Sequence, residues 1–288
     1  MSIDLITVPY DSGHRGKRMG AGPLRFAEAG AAERLRAVAG SVRETAVGVE
    51  PELATEIATA FDLARATAFA VRTALGRGSL PLVLAGNCFS AVGTLAALPS
   101  AGTGVVWLDA HGDLNTPETT VSGMLDGMAL ATVLGRCWTG LARRIDGFAA
   151  MPEEHVLLAG ARDLDEGEQR FLDHSRILAL GPAAARDRDD AASQLDAFAA
   201  RVQRIYLHVD LDVHAPEAGR ANGFQPAAGL TADEVRRFIR DLAARVPIAA
   251  AAITAYDPAV DADGRMLDVG LELMELIAEL AAPAEAGS

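Results

Sequence analysis

At 288 residues, half of them hydrophobic, the chain is long enough for one large α/β domain with a substantial core. Its two cysteines, Cys88 and Cys137, offer no disulfide framework and fit a reducing compartment. The formal net charge of -13 argues against nucleic acid or an anionic membrane surface as a partner and is compatible with a small cationic or zwitterionic substrate. The opening Met-Ser-Ile-Asp-Leu-Ile has no basic segment leading into an apolar one, and no long apolar run follows, so a cytoplasmic protein without a membrane span is expected.

Strand-like apolar runs alternate with helix-like segments rich in Ala, Leu, Arg and Glu. In chain order the pattern predicts a strand at 5–8, a helix at 23–37, a strand at 44–49 and a helix at 54–75. A strand at 81–84, a helix at 89–98, a strand at 104–108 and a helix at 124–134 follow. Then come a strand at 155–159, a helix at 166–173, a strand at 177–180 and a helix at 190–202. A strand at 204–210, a helix at 232–245, a strand at 248–256 and a helix at 268–280 complete the series. Thr231 and Glu234 have the spacing of a capping box at the start of one helix. Such alternation implies a parallel sheet with helices on both faces, in one domain over 1–283 with a frayed tail at 284–288.

Two acidic clusters stand at the ends of apolar runs, Asp109-Ala-His-Gly-Asp113 and His208-Val-Asp-Leu-Asp212. Strand alternation would turn Asp109, His111 and Asp113 toward one spot and Asp210 and Asp212 toward another. No Lys or Arg lies within either cluster, and buried carboxylates without compensation cost several kcal/mol each or protonate. Carboxylate oxygens with one imidazole suit Mn²⁺ or a similar hard divalent ion, and two ions sharing bridging carboxylates would use all five groups. The alternative is a set of strand-end Asp residues capping turns.

These segments, extended to Asp109-Ala-His-Gly-Asp-Leu-Asn115, Thr116-Pro-Glu-Thr-Thr120-Val-Ser122-Gly and Asp210-Leu-Asp212, resemble the ureohydrolases, the arginase, agmatinase and formimidoylglutamase group. The likeness runs from Asp11-Ser-Gly-His-Arg15 and Gly20-Ala-Gly-Pro23 to Tyr256-Asp-Pro258. It implies a three-layer α/β/α sandwich around a mainly eight-stranded parallel sheet, two Mn²⁺ per subunit, and a homo-oligomer, trimer or hexamer. It further implies that a metal-bridging hydroxide attacks a guanidino carbon. Carried over position by position, Asp109 and Asp210 bridge the metals, Asp113 completes one site, and His111 with Asp212 completes the other. Asn115, Thr120 and Ser122 match residues that bind a substrate's α-carboxylate, and Asp165 matches the acidic residue near its α-amino group. Asn, Thr and Ser here also suit an ordinary turn.

Three positions depart from the family pattern. Where Gly-Gly-Asp-His-Ser is usual, the chain has Ala85-Gly86-Asn87-Cys88-Phe89, so Cys88 replaces a histidine ligand. Its sulfur either ligates, weakening that site for Mn²⁺, or packs as a small apolar residue. Some relatives with a cysteine here act on N-hydroxylated arginine. Asp126, in Met124-Leu-Asp126-Gly-Met128, replaces the shuttle histidine and is the expected proton relay, with pairing to a cationic substrate or a structural role as alternatives. Ala255 falls where the family's guanidinium-gripping Glu is expected, leaving Asp126 or His214 as substitute contacts.

His208 is expected to hydrogen-bond behind the ligands, His214 to lie on a loop surface, and His155 and His174 at surface element ends. His14 and Arg15 lie in a loop that could close over the site, and Trp107, Trp138 and the methionines are expected in the core. The expected function is hydrolysis of a C–N bond in an arginine-related guanidino or amidino compound, with Asp126 and His111 as catalytic side chains. The rivals are a formimino or other C–N hydrolase and a catalytically silent homologue that binds metal or ligand.

Overall fold

The structure, a computed structural model, describes residues 1–49 and 55–281. Among the described residues ten strands form: β1 (Ser2–Val8), β2 (Tyr10–Asp11), β3 (His14–Arg15), β4 (Ser41–Ala46), β5 (Leu80–Ala85), β6 (Thr103–Leu108), β7 (Val156–Ala159), β8 (Leu178–Leu180), β9 (Arg204–Asp210) and β10 (Ile248–Thr254). Eight make one sheet in the order β4-β1-β5-β10-β9-β6-β7-β8, and every pairing in it is parallel. β2 and β3 form a short antiparallel hairpin.

β5 and β6 are buried at every position, which is why their sequences read as unbroken apolar runs rather than alternating ones. Their side chains still divide between two layers. Leu82, Leu84, Val106, Leu108, Leu207 and Val209 pack with helices Ala31–Ala39, Ala232–Ala243 and Arg265–Ala281. Val83, Val105, Trp107, Leu158 and Tyr206 pack with helices Glu56–Gly76, Ser90–Ala97 and Ala129–Val133. A three-layer α/β/α sandwich results, as expected. The capping box of Thr231 and Glu234 forms, and Thr231→Ala would cost about 0.5–2 kcal/mol.

Strand order positions the site. The late strands β9 and β10 fill the centre of the sheet between β5 and β6, so the loops leaving β5, β10, β9 and β6 meet along one carboxyl edge. Gly86, just past β5, lets the segment after β1 approach this edge: a Cβ there would sit 2.2 Å from the Tyr10 carbonyl oxygen and 2.7 Å from Gly20 Cα.

Local chemistry moves several predicted boundaries. The helix expected at 23–37 is two helices, Gly22–Glu28 and Ala31–Ala39, because Gly30 takes a left-handed φ of 83° between them. The strand expected at 44–49 is Ser41–Ala46, an edge strand whose mixed exposure blurs the apolar signal. The helix at 124–134 shrinks to a 3₁₀ turn, Asp126–Met128, followed by Ala129–Val133. Backbone bonds from Asn115 to Gly127 and from Ala131 to Asp113 tie this stretch to the preceding loop. The last sheet strand ends at Thr254 rather than 256, because Ala255 turns to a φ of 60°. The predicted start of the helix at 54 and the tail at 284–288 lie outside the described residues.

Candidate metal centre

β6 ends at Leu108 and β9 at Asp210, so most of the acidic groups stand on the turns just past the strands. Strand alternation therefore does not aim them, and they do not form two separate spots. Hydrogen bonds set Asp109, Asp210 and Asp212 instead. Asp109 accepts from the Trp107 indole Nε1 at 3.0 Å and from the His111 backbone N–H at 2.7 Å. Asp210 accepts from the Asp212 N–H at 2.8 Å, and Asp212 from the Ala110 N–H at 3.1 Å and the Asn222 amide at 3.2 Å. His111 joins the clusters: its Nδ1 lies 3.4 Å from Asp109 Oδ1 and 3.3 Å from Asp212 Oδ2. Asp113 adopts a φ of 51°, and its Oδ2 is buried with no hydrogen-bond partner.

All four carboxylates are buried. The nearby guanidinium of Arg162 spends its donors on the carbonyls of Asp212, Val213, His214 and neighbouring loops rather than on a carboxylate. Burial, with repulsion from Asp212, raises Asp109 to about 6. Burial and neighbouring carboxylates push Asp113 and Asp210 well above the usual range. Burial opposes charge on His111 and on Asp212 as well, but hydrogen bonding and attraction prevail: Asp109 and Asp212 together hold the imidazole at about 12, and His111 holds the Asp212 carboxylate at about 2. One imidazolium cannot offset four carboxylates.

The donor set fits divalent ions. Asp109, His111 and Asp212 place ligand atoms within 4.8 Å of one another, and so do Cys88, Asp109 and His208. The unpartnered Asp113 oxygen is the kind of acceptor that an ion would satisfy. Cys88 is buried, its sulfur 3.1 Å from Asp210 Oδ2 and 3.3 Å from Thr254 Oγ1.

Asp126 faces the same cavity, its two oxygens accepting from the Asn87 amide at 2.9 Å and the Phe89 N–H at 3.2 Å. Burial raises it to about 7 against those two hydrogen bonds. The cavity holds about 230 Å³ and is lined by Asp126, Asp163, Asp165 and Glu168 together with Met19, Met124, Phe224 and Ala255. No Lys or Arg is among its lining residues.

Asn115 and Ser122 line it, and Asn115 donates to Asp165 at 2.9 Å. Asp165 is also the N-cap of helix Glu166–Leu172, paired with Glu168 in a capping box. Thr120 stands back from the cavity, its hydroxyl accepting from the Gly123 N–H. His214 is fully buried rather than on a loop surface, bonded through Nδ1 to the Leu211 carbonyl at 2.9 Å, and it does not reach the cavity as a substitute contact. His155 is partly buried and His174 exposed. His14 and Arg15 are exposed on a hairpin anchored by the Arg18–Asp11 ion pair at 2.8 Å. Trp107 is in the core as expected, but its indole also orients Asp109. Its place two residues before that Asp was the available signal. Asn87 stood in the Ala85–Phe89 motif without a role assigned to it, and Asn222 carried no sequence signal, because it meets Asp212 and Ala255 from a loop.

Residues 1–278 match the sequence profile of the arginase family. An arginase of Bacillus caldovelox is 30% identical over 289 residues, covering 94% of this chain and 96% of the relative. The solved structure of the Bacillus caldovelox arginase superposes with a TM-score of 0.86 at 28% identity, over 99% of each chain. That of Bacillus cereus arginase gives 0.86 and 28%, over 99% of this chain and all of the other. An agmatine ureohydrolase of Thermoplasma volcanium, at 18% identity and a TM-score of 0.68, shares the fold. With the family match spanning residues 1–278 and the eight-stranded parallel fold superposing on solved arginases, the chain belongs to the arginase family, hydrolases that act on C–N bonds.

Proposed function

We propose that the chain is a metal-dependent amidinohydrolase acting on an arginine-related guanidino or hydroxyguanidino compound. The observation that carries this reading is the cluster of four buried carboxylates, two of them against the His111 imidazole and one with an unpartnered oxygen, beside a cavity lined by further acids. Asp109, Asp113, Asp210, Asp212, His111 and Cys88 would hold two divalent ions, with Mn²⁺ expected where oxygen donors dominate. Bound there, such ions supply an acidified water and stabilise negative charge in the transition state. In the reaction water adds to the guanidino carbon and the bond to the chain nitrogen breaks, giving an amine and a urea or hydroxyurea.

The protein's side chains do the rest. Asp163 and Asp165 draw the cationic end of the substrate to the cavity mouth, with Asn115 and Ser122 as polar contacts. Thr120 braces their loop. Asp126, held in place by Asn87 and the Phe89 N–H, retains a proton near neutral pH and hands it to the departing nitrogen. Ala255 leaves open the place of a guanidinium-binding Glu, which disfavours unmodified arginine by roughly 1.5–3 kcal/mol, the worth of a charged hydrogen bond. The same opening favours, as a second reading, a formimino or other imino substrate that needs no such partner. The reading also carries one domain and a cytoplasmic trimer or hexamer.

The test is a urea, hydroxyurea and ammonia release screen with the Mn²⁺-loaded chain over arginine, N-hydroxyarginine, agmatine, guanidino acids and formimino compounds. Turnover of a guanidino or hydroxyguanidino compound that stops on chelation supports the proposal. Ammonia or formamide release from a formimino compound alone favours the second reading. Failure to bind metal or to cleave any C–N substrate overturns both and leaves a silent homologue.

A further inference from the structure

We propose that the centre is chemically asymmetric: Cys88, Asp109 and His208 form a soft position suited to Zn²⁺, and it shares Asp109 with a hard position built from His111 and Asp212. His208 lies outside the ligand set that the family pattern carries over. The inference rests on reading the acidic cluster as a metal centre and adds a ligand and an ion type to it.

The geometry divides the donors in this way. The Cys88 sulfur, an Asp109 oxygen and a His208 ring nitrogen lie within 4.8 Å of one another, all three residues buried, and the second group of Asp109, His111 and Asp212 meets the same limit. Asp109 is common to both. A sulfur and an imidazole beside one carboxylate select Zn²⁺ or a similar borderline ion, whereas two carboxylates and an imidazole suit Mn²⁺.

A hydrogen bond behind the ring helps to place His208: its Nδ1 lies 2.9 Å from the Tyr206 hydroxyl, which leaves Nε2 on the side of the other donors. Outer hydrogen bonds of this kind orient metal-bound imidazoles. Nε2 points toward Thr254 Oγ1 at 3.3 Å, and that hydroxyl is itself 3.3 Å from the Cys88 sulfur. Thr254 has another acceptor in the Val209 carbonyl at 3.4 Å, so its hydroxyl does not depend on His208.

Packing holds the ring in that pose. His208 stacks on Trp107 with centroids 3.7 Å apart and planes 12° from parallel, and the same indole donates to Asp109. One aromatic side chain thus orients two of the three donors. Ion binding displaces the Cys88 thiol proton, which leaves to solvent.

Co²⁺ is the probe, added to the metal-stripped chain. The proposal predicts a thiolate-to-cobalt charge-transfer band in the near ultraviolet with the first equivalent, and loss of that band in Cys88→Ser. His208→Asn should weaken the thiolate-linked Co²⁺ by at least about tenfold while Mn²⁺ binding, read by electron paramagnetic resonance, stays within about twofold. X-ray absorption of the native chain with one equivalent of Zn²⁺ needs no variant and should show one sulfur and imidazole nitrogen. A Zn²⁺ shell of oxygen and nitrogen alone, or a His208→Asn chain with native band and affinity, overturns the proposal while leaving the Mn²⁺ centre intact. Absence of binding for all three ions removes the centre itself, and with it the amidinohydrolase reading.

Discussion

The two sides of the acidic centre differ in how far they keep to the family pattern. On the β6 and β9 side stand Asp109, His111, Asp113, Asp210 and Asp212, the ligands that the sequence resemblance carries over, and backbone N–H groups hold three of those carboxylates. On the β5 and β10 side stand Asn87, Cys88 and Ala255, with Asp126 hydrogen-bonded across to Asn87. The departures are gathered in one place rather than scattered. Such a division points to retained metal chemistry on one side and altered substrate handling on the other.

The most damaging way to break the comparison is to remove the carboxylate that both sides share. Asp109→Asn should abolish turnover and remove both ions, checked by elemental analysis of the purified variant. Asp126→Asn should lower kcat by roughly 10²- to 10⁴-fold with metal content unchanged, as expected of a lost proton donor, measured by product release on the best substrate. Returning the altered side to the family pattern with Cys88→His and Ala255→Glu together should raise kcat/KM for arginine by about 10- to 150-fold, the equivalent of roughly 1.5–3 kcal/mol. No gain would shift the cause to Asp126 or the loops.

Asn222→Ala removes the amide that supports Asp212 and should weaken metal binding about 10-fold or somewhat more, read by titration. A smaller effect sharpens the electrostatics. In the metal-free chain Asp109 is raised to about 6 and Asp113 and Asp210 higher, so the folded state binds protons that the unfolded chain does not. Metal-free stability should therefore rise as pH falls through about 6. Mn²⁺ should accordingly raise the Tm more at about pH 8 than at about pH 5, measured by calorimetry.

The sheet and the family side of the centre were legible in the sequence because they depend on local pattern. Apolar runs announced β5, β6 and β9, and Asp109 through Asp113 and Asp210 with Asp212 lie within a few residues of one another. What escaped depends on contacts between distant segments. Asn222 reaches Asp212 from a loop without periodicity, and Cys88, beyond β5, meets Asp210 and Thr254 from more than a hundred positions away. The burial of His214 was missed for the same reason: the bridge pairing it with Leu230 has no sequence signature.

Elemental analysis of the chain purified from cells supplied with Mn²⁺ and Zn²⁺ is the most direct test of the metal centre. The account predicts two divalent ions per chain, falling to none in Asp109→Asn. A native chain that carries no divalent ion and gains none on dialysis against Mn²⁺ or Zn²⁺ would contradict it.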